Sequence, residues 1–489
     1  MNTYYRFRSS ERLLGRAATK DKEARPGELD ELTIYFASPL ELNDPLEGHR
    51  ETFFEGDIIV WKNLLKHYSL ILFSSAIKVY IQGEDGEIQY INLRPESYAP
   101  ETANIALKVA SQVLADTVLM EYAEAIAHTK RRVSRAELTV HLMTVHSRIL
   151  THVLKELSGH FPIDDLQRYL TVEKSFTDFI ALRALDIKAE GSNPDISTYR
   201  EIKSKIKQQA LRGNALRDTV LSKGAMRIYL NFPEEYAQQI DYLIYPHWYV
   251  ACFMESCENP AIWGSYGDNH KGICLIYETD RARGADTLRF KRLPHDYIRA
   301  LNYGKPNDQW FLDMECQLPL IKVRYDSSYT STNFFTSLLN ENKEWALSYW
   351  YSDGDKISPC SAWLDGDIQE SFRSYRKKYE QSVATKTAHW ENETERRIII
   401  TGFPFDQTER VASYNFYDLK GLIFGINTSD EVKVQIIRKI AEHCKIHRRS
   451  DFRFYQARYS DSYDKIEHDL LSYITFNVDG SLNLDAGIG

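Results

Sequence analysis

The chain has 489 residues, of which 43% are hydrophobic and 27% are charged, and this ordinary globular composition excludes extended disorder and a membrane-embedded protein. Its 61 basic and 69 acidic residues give a formal net charge of −8, which excludes a general basic field for nucleic acid and leaves only a local patch for any polyanion. The length is sufficient for two or three domains.

Cysteine usage and the N-terminus predict where the protein works. The six cysteines form neither a C-x-x-C pair nor a zinc-ligand spacing, which is typical of reduced, mostly buried thiols. The first residues, MNTYYRFRSSERLLGR, contain no apolar signal segment, and no window approaches eighteen uncharged apolar residues. We therefore expect a cytoplasmic protein that makes no membrane contact.

Residues 1–98 are expected to form the strand-rich first part of a catalytic-like domain. Aromatic and β-branched residues favour strands in this region, and a serine-capped helix is expected at Ser9–Leu14. Asn43 and Asp44 precede a proline, which is typical of a tight turn. This turn can serve only the backbone, or it can present Asp44 to a site. The predicted strands are Thr3–Phe7, Leu32–Ala37 and Tyr68–Ser74.

Residues 99–240 are expected to be a helical insertion. Apolar residues recur at spacings of three and four between Leu138 and Val153, which is the period of an amphipathic helix. A later helix carries several cations that are candidate contacts to a nucleic-acid or protein target, although most such runs are solvated helix faces. The cations proposed for this contact are Arg200, Lys203 and Lys207.

Residues 241–489 are expected to complete the catalytic-like domain. Strands are predicted at Tyr249–Phe253 and Gly272–Tyr277. The connection between them carries two aromatic residues, a carboxylate and an imidazole, which suit a pocket that stacks on a flat ligand. The alternative for the aromatic residues is simple core packing. The residues concerned are Trp263, Tyr266, Asp268 and His270.

The segment KTAHWENETERRIIITG, residues 386–402, combines a cluster of acids with a buried apolar strand. If the extended backbone begins by Glu393, then Glu393, Glu395 and Arg397 lie on one face, because strand side chains alternate. Neighbouring carboxylates raise each other's pKa and an arginine lowers it, so such a group can hold one charged and one neutral carboxyl. A solvated strand entrance with local ion pairs is the alternative.

Several short blocks of this chain resemble, in order and in residue type, a large bacterial family known as domain of unknown function 2971. The resemblance covers the chain ends and the region from 250 to 400, and it leaves out the helical segment. Arg396 stands where that family usually has an aromatic residue. The blocks are Tyr5-Arg6-Phe7-Arg8; Tyr35-Phe36 with Ser38-Pro39 and Asn43-Asp44-Pro45-x-Glu47; Cys252-Phe253 with Trp263-x-x-Tyr266 and His270-Lys271-Gly272-Ile273-Cys274; Lys386 with Trp390-x-x-Glu393-x-Glu395-x-Arg397; and Ile423-Phe424-Gly425.

The order of three of these blocks also resembles the ADP-ribosyltransferase fold, particularly bacterial toxins that modify nucleic acid. The resemblance implies an α+β fold in which small mixed or antiparallel sheets form a cleft, here with a large helical insertion. It implies that Arg6 grips NAD, that Tyr35 supports the nicotinamide, and that Glu395 or Glu393 drives the transfer. The early histidine of that superfamily is missing, and Arg6 can instead pair with Glu47.

The expected function is therefore an ADP-ribosyltransferase or NAD glycohydrolase that uses NAD as its substrate, with a role as a bacterial toxin or in defence against phage. A fixed carboxylate stabilises the oxocarbenium character that develops when the nicotinamide bond breaks. Basic side chains hold the pyrophosphate, and aromatic side chains stack on a ring. The expected nucleotide contacts are Arg8, Asn43, Asp44, Trp263, Tyr266, His270, Lys386 and Arg397.

Two other classes of function remain open. A metal-dependent nuclease or hydrolase would use oxygen and nitrogen ligands, although no recognised ligand spacing is present. A non-enzymatic sensor would bind a nucleotide in the aromatic pocket and meet a partner through its helices. The candidate metal ligands are Asp44, Glu47, Glu393, Glu395 and His270.

Overall fold

The computed structural model describes residues 2–16, 24–44, 51–83, 88, 91–92, 94–161, 173–190, 204, 208, 223–282, 284–291, 293, 315–326, 331–338, 343–365, 368–402, 407 and 409–483. The chain divides into two compact units. The first unit contains Met1–His49, His247–Ser328 and Glu380–Gly489, and the second contains Arg50–Pro246 and Tyr329–Tyr379. Helices and strands both contribute, so the fold is of the α+β class, as predicted.

The first unit is built on an eight-stranded sheet. Its order is β4-β5-β2-β1-β3-β6-β7-β8, and all neighbours are antiparallel except β6 and β7. The two ends of the chain therefore meet in one sheet. In chain order the strands are β1 Thr3–Arg8, β2 His247–Met254, β3 Ile273–Glu278, β4 Ile321–Lys322, β5 Glu395–Gly402, β6 Leu419–Phe424, β7 Arg453–Tyr459 and β8 Ile466–Leu470.

Smaller sheets and three helices complete the first unit. The second sheet contains Asp280–Ala282, Ala285–Lys291, Cys316–Pro319, Val411–Tyr414 and Thr33–Tyr35. Two short pairs are Gly15–Arg16 with Arg25–Pro26, and Arg324–Tyr325 with Thr385–Lys386. The α-helices are Ser10–Leu14, Pro260–Ser265 and Asp430–His447, and the 3-10 helices are Pro39–Glu41, Ala388–Glu393 and Phe416–Asp418.

The large sheet is buried on both faces, which explains its apolar strands. One face carries Tyr249, Ile398 and Leu422, and it packs with the second sheet and the helix Asp430–His447. That helix places Ile436, Ile440 and Cys444 in the core at intervals of four residues, as an amphipathic helix must. The opposite face is a smaller cluster around the helix Pro260–Ser265. The members of this cluster include Phe7, Met254, Trp263 and Ile423.

The second unit is mostly helical. Its α-helices are Ile58–Tyr80, Pro100–Ala115, Thr117–His128, Arg135–Ser158, Glu173–Glu190, Lys223–Met226, Phe232–Gln239 and Lys343–Trp350, and the helix Ile368–Val383 contains the boundary at residue 379. A π-helical turn occupies Arg227–Asn231, and 3-10 helices occupy Pro95–Ser97, Ile240–Leu243, Phe334–Thr336 and Pro359–Leu364. The strands are Glu51–Phe54, Val133–Ser134, Ser331–Asn333, Ser352–Asp353 and Lys356–Ile357.

The predicted strand Tyr68–Ser74 is wrong, because these residues lie inside the 23-residue helix Ile58–Tyr80. Asp57 caps this helix by accepting hydrogen bonds from the backbone N–H groups of Ile59 and Val60. The helix is apolar on nearly every side, so its sequence lacks the amphipathic period that separates a helix from a buried strand. The division between the units accordingly comes at residue 49, earlier than the predicted change to helix at residue 98.

Other predicted features have different outcomes. The helix predicted around Leu138–Val153 is present as Arg135–Ser158, with Ser134 as its N-cap. The proposed target contacts Arg200, Lys203 and Lys207 lie outside the described residues. Within the described part of the chain, no single helix has both the length and the apolar character needed to cross a membrane, and only the pair Pro100–Ala115 and Thr117–His128, bent by 66°, meets those criteria jointly.

Asp116 joins helices of the second unit and provides a test of their stability. It caps the helix Thr117–His128 and also accepts from Arg148 Nε at 2.6 Å, with His152 Nε2 at 2.7 Å. Burial opposes the charge, but these hydrogen bonds outweigh burial and lower the pKa of Asp116 from 3.8 to about 2.

We expect Asp116→Ala to destabilise this helix by about 2 kcal/mol at neutral pH, because a cap and a charged hydrogen-bond acceptor are both lost. The folded pKa is below the unfolded value, so this contribution is present above pH 3.8 and disappears as the pH falls toward about 2. Hydrogen exchange of residues 117–128 measures the effect. Asp116→Asn retains a capping oxygen and should lose less, and equal losses in both variants would contradict this assignment.

Candidate functional site

A cavity of about 370 Å³ opens in the first unit where β1 and β2 separate. These strands pair only at Tyr5 and Met254, and β2 then pairs through Val250 with Ala37 instead. Consecutive residues from Tyr5 to Ser9 line the cavity. Side chains of consecutive strand residues point to opposite faces, so the cavity cannot lie on one face of β1 alone. The cavity therefore follows the edge of β1. Its volume is in the range of small-molecule sites.

Eight of the twelve predicted site residues line this cavity, so most of the prediction concerns one place. They come from the N-terminal region, from the helix Pro260–Ser265 and its exit, and from the segment that leads into β5. The eight are Arg6, Arg8, Tyr35, Asn43, Tyr266, Lys386, Glu393 and Glu395. The four that do not line it are Asp44, Trp263, His270 and Arg397.

Arg6 is a buried cation in the cavity wall, with 3% of its surface exposed. Its Nη2 donates to the Tyr35 carbonyl at 3.2 Å and its Nη1 to the Cys252 carbonyl at 3.4 Å, while Nε has no partner among the described residues. The guanidinium also lies 5.3 Å from the centre of the Phe253 ring. Within the described part of the chain no carboxylate is within 4 Å of Arg6.

Two more arginines line the cavity. Arg8 Nε donates to Glu28 Oε2 at 2.9 Å, so its charge is already compensated. Arg12 lies in the first helix, just after the cap residue Ser9, and burial together with the charge of Arg8 lowers its pKa. The mutual repulsion of these guanidinium groups favours a bound anion.

Tyr35 lines the cavity with a hydroxyl that is held in place. It donates to Glu41 Oε1 at 2.8 Å and accepts from Arg410 Nη1 at 3.3 Å. Arg410 also pairs with Glu41 at 3.0 Å. The side chain predicted to support a planar ring is therefore fixed by a small polar network.

Glu395 is the central carboxylate, buried with 2% of its surface exposed. Arg397 binds both of its oxygens, from Nε at 2.8 Å and from Nη2 at 3.0 Å. Lys386 Nζ is 3.5 Å from Oε2, and Cys252 on the neighbouring strand β2 lies on the same face of the sheet as this carboxylate. The backbone N–H of Glu395 donates to the hydroxyl of Tyr325 at 2.7 Å. These contacts hold the carboxylate in one orientation at the cavity wall.

Glu393 reaches the same cavity by a route that the sequence did not predict. It ends a 3-10 helix, and Thr394, with φ of 45°, turns the chain before β5 begins at Glu395. The extended backbone therefore does not begin by Glu393, so the condition for placing Glu393 on one strand face with Glu395 and Arg397 is not met. The carboxylate of Glu393 accepts from Lys386 Nζ at 2.7 Å and from the Tyr266 hydroxyl at 2.6 Å. Lys386 thus stands between two carboxylates, and its expected role as a pyrophosphate contact is replaced by an ion-pair role.

Burial and ion pairing act in opposite directions on this cluster. Burial raises the pKa of Glu395 and the ammonium of Lys386 lowers it. Burial has the larger effect, and the resulting pKa is about 7. Burial alone would lower the pKa of Lys386, but the carboxylates Glu395 and Glu393 raise it overall. Burial also raises the pKa of Tyr266, so this phenol stays neutral and donates to Glu393. The carboxylate of Glu395 is therefore held by opposing effects, burial against the charge of Lys386.

Arg397 and Trp263 stabilise the fold and do not line the cavity. Arg397 is fully buried, and besides Glu395 it donates to the Val383 carbonyl at 2.8 Å. Trp263 is also fully buried, donates from Nε1 to the Cys257 carbonyl at 2.7 Å, and packs edge-on against Phe7. Neither Arg397 nor Trp263, both predicted to contact the ligand, lines this cavity. Trp263 instead packs in the core.

His270 and Asp44 lie away from the cavity lining. His270 adopts a left-handed backbone and its ring is 6.1 Å from that of Tyr459. Asp44 is buried and accepts from the hydroxyl of Thr387 at 3.4 Å. Glu47 lies outside the described residues. Among the residues that are described, no three His, Cys, Asp or Glu side chains are grouped to hold a metal ion.

The loop from Gly267 to Gly272 sets the position of Asp268, which lines the cavity. Three consecutive residues, Asp268, Asn269 and His270, have positive φ angles, which cost energy for side chains other than glycine. Backbone hydrogen bonds fix this turn, including one from Gly425 N to the Gly272 carbonyl at 3.0 Å. The loop therefore depends on close contact with the end of β6.

We expect Gly425→Ala to destabilise the loop by roughly 1–3 kcal/mol, because an added Cβ would lie 2.3 Å from the His270 carbonyl oxygen. Thermal unfolding measures the change in stability. Gly264→Ala, whose Cβ would meet no atom within 4 Å, is the matched control. Equal effects in the two variants would show that close packing of Gly425 is not what matters.

Several cavity residues are absent from the predicted site, among them Arg12, Cys252 and Glu41. Arg12 follows Arg6 and Arg8 by one turn of the capped helix, and this arginine run is a signal that could have identified it. Cys252 lay within a family-like block, but a single cysteine carries no chemical signal. Glu41 belongs to a capping box with Ser38, and its contact with Tyr35 depends on tertiary structure.

Comparison with known proteins gives one match. Residues 262–398 match the family described as protein of unknown function (DUF2971). This confirms the predicted family resemblance and covers the segment that contains Tyr266, Lys386, Glu393 and Glu395. No curated protein and no solved structure matches the chain.

Proposed function

We propose that this chain of the DUF2971 family cleaves NAD at the bond between nicotinamide and ribose, and passes the ADP-ribose to an acceptor or to water. The supporting observation is that Arg6 and Tyr35 from the first forty residues line the same cavity as Glu393 and Glu395. Because this cavity is lined by arginines as well as by fixed carboxylates, it suits a substrate with a diphosphate and a centre that becomes cationic.

Glu395 is the group assigned to the developing positive charge on the ribose. Electrostatic stabilisation is most effective when the charged group is already oriented before the reaction. Arg397 and Lys386 provide that orientation, since both contact the carboxylate and are themselves buried. The nicotinamide departs as a neutral molecule, so the reaction needs no acid to protonate it.

Arg6 and Arg12 are assigned to the diphosphate. Guanidinium groups bind phosphate oxygens through paired N–H donors. Arg6 retains a donor without a partner among the described residues, whereas Arg8 is already paired with Glu28. The phosphate contacts therefore differ from the expected set, which included Arg8, Lys386 and Arg397.

Glu393 and Tyr266 are assigned to the acceptor side. Glu393 accepts from Tyr266 and from Lys386, and this leaves lone pairs that can receive a proton from an incoming hydroxyl group or water. Tyr35, whose hydroxyl is fixed by Glu41, is assigned to contact the nicotinamide.

The test is direct measurement of NAD cleavage by the purified full-length chain. We expect release of nicotinamide, detected by chromatography, and binding of NAD in calorimetry. Arg6→Gln should weaken binding by roughly 10-fold or more, because a buried charged hydrogen-bond donor is lost. Arg458→Gln removes an exposed arginine that pairs with Glu467 at the sheet edge, and it is the matched control. Absence of both binding and nicotinamide release would reject the proposal.

A binding module without chemistry is the second candidate. It is favoured by one observation, namely that Arg397 already occupies both oxygens of Glu395. Such a protein would bind NAD or a related nucleotide, and the nucleotide would be recovered intact. Binding without nicotinamide release would therefore support this candidate over the enzyme.

A further inference from the structure

Cys252 places a thiol beside the central carboxylate of the cavity. It lies on β2, lines the cavity and is partly exposed. The register pairs Cys252 with Arg397 on β5, so both side chains and that of Glu395 lie on one face of the sheet. Cys252 and Glu395 also line the same cavity, and the negative charge of Glu395 contributes to the raised pKa of the thiol. A nucleophile and a proton acceptor are thus neighbours on one face of the sheet and at one cavity.

The other five cysteines do not have these surroundings. Three of them are buried, and two are partly exposed but lie outside the cavity lining. The buried cysteines are Cys257, Cys274 and Cys444, and the partly exposed ones are Cys316 and Cys360. Cys316 has the same exposure class as Cys252 and offers a matched comparison.

An independent observation indicates that a ligand reaches this thiol. Arg6 is 97% buried, lines the cavity and has an Nε without a partner among the described residues. Its Nη1 donates to the carbonyl of Cys252 itself at 3.4 Å. Arg6 and Cys252 both line this cavity, so a ligand whose anionic group meets Arg6 lies in the same cavity as the thiol.

We propose that Cys252 is a site of self-modification, at which the chain transfers ADP-ribose from NAD to its own thiol. This inference rests on the proposed NAD cleavage and goes one step further, because it names an acceptor. The sulfur forms a bond to C1 of the nicotinamide ribose, and the bond from C1 to the nicotinamide nitrogen breaks. The electron pair of that bond leaves with nicotinamide, which departs neutral. The thiol proton passes to the carboxylate of Glu395 and then to water.

The surroundings of the thiol determine when the proton moves. Burial, with the negative charge of Glu395 as a further cause, raises the pKa of Cys252 well above its ordinary value, so the resting group is a thiol. The proton must therefore transfer during the attack, and the neighbouring carboxylate of Glu395 is the group assigned to accept it. Attachment of ADP-ribose at this point would fill the cavity, so activity should decline as the adduct accumulates.

The experiment incubates the full-length chain with NAD and measures two quantities in the same samples. Intact-mass spectrometry detects a gain of one ADP-ribose, and peptide mapping locates it, while chromatography measures nicotinamide. We expect the adduct on the peptide that contains Cys252. Cys252→Ala should lose the adduct, and Cys316→Ala should retain it. Thermal unfolding of both variants verifies that each one is folded.

The two measurements separate the failure of this inference from the failure of the proposed function. Nicotinamide release without an adduct on Cys252 overturns the self-modification and leaves NAD cleavage intact. Absence of both products rejects both proposals. Equal labelling of Cys252 by free ADP-ribose would mean that transfer from NAD is not required, and it also overturns the inference. Because the wild-type map is decisive, a variant that fails to fold does not prevent the test.

Discussion

Glu395→Gln is expected to lower the rate of NAD cleavage about 100- to 1,000-fold, which is the usual cost of removing one oriented electrostatic group. Glutamine keeps the shape and one oxygen acceptor for Arg397 but loses the negative charge that faces the ribose. The initial rate of nicotinamide release measures the effect. Glu255→Gln is the matched control, because that carboxylate pairs with Arg396 at 2.7 Å but does not line the cavity.

The pH dependence of the wild-type rate of nicotinamide release is a second test of the role of Glu395. The pKa of Glu395 is raised to about 7 by burial, and the reaction requires the charged form. The rate should therefore rise as the pH increases through about 7, well above the ordinary glutamate value of 4.5. A Glu395→Gln variant that retains the wild-type rate, or a wild-type rate that is constant from about pH 5 to 8, would contradict the assignment.

Arg397→Met is expected to destabilise the first unit by about 3–5 kcal/mol, because it leaves a buried carboxylate without its main partner. Arg397 is fully buried and binds both oxygens of Glu395, so water cannot replace it without opening the sheet. The chain contains two units, and its global unfolding need not be two-state. Hydrogen exchange of residues 395–402 in β5 is therefore the appropriate measurement.

Two further variants make this prediction specific. Arg396→Met, at the preceding position, removes a partly exposed ion pair with Glu255 and should cost less than about 1 kcal/mol of stability. Adding Glu395→Gln to Arg397→Met should restore part of the lost stability, since the carboxylate that had lost both hydrogen bonds from Arg397 is then no longer charged. If the double variant is no more stable than Arg397→Met, then packing of the arginine outweighs its charge.

Local sequence patterns predicted the strands that carry the site. Thr3–Phe7, Tyr249–Phe253 and Gly272–Tyr277 are present as β1, β2 and β3, with ends that differ by one or two residues. The helix Ile58–Tyr80 was missed because an apolar run without a period is compatible with either a helix or a buried strand. The difference is decided by the neighbours on every side of the run.

The site residues likewise divide into those predicted from the sequence and those that only the tertiary structure identifies. Arg6, Tyr35 and Glu395 were predicted from residue type and order, and all three line the cavity. Trp263 has the composition expected of a stacking residue, but it is fully buried in the core. Cys252 carries no signal in the sequence and becomes notable only through its contact with Glu395.

The sequence by itself determined the strands that carry the site, the charge pattern and the family resemblance, because each of these depends on residue types at short spacing. Only the tertiary structure decided which charges are compensated and which remain available to a ligand. Glu393 joins the site through the left-handed turn at Thr394, and Arg6 enters it because β1 and β2 separate after one residue pair. Such contacts join residues that are far apart in the chain, and the register of the sheet sets them.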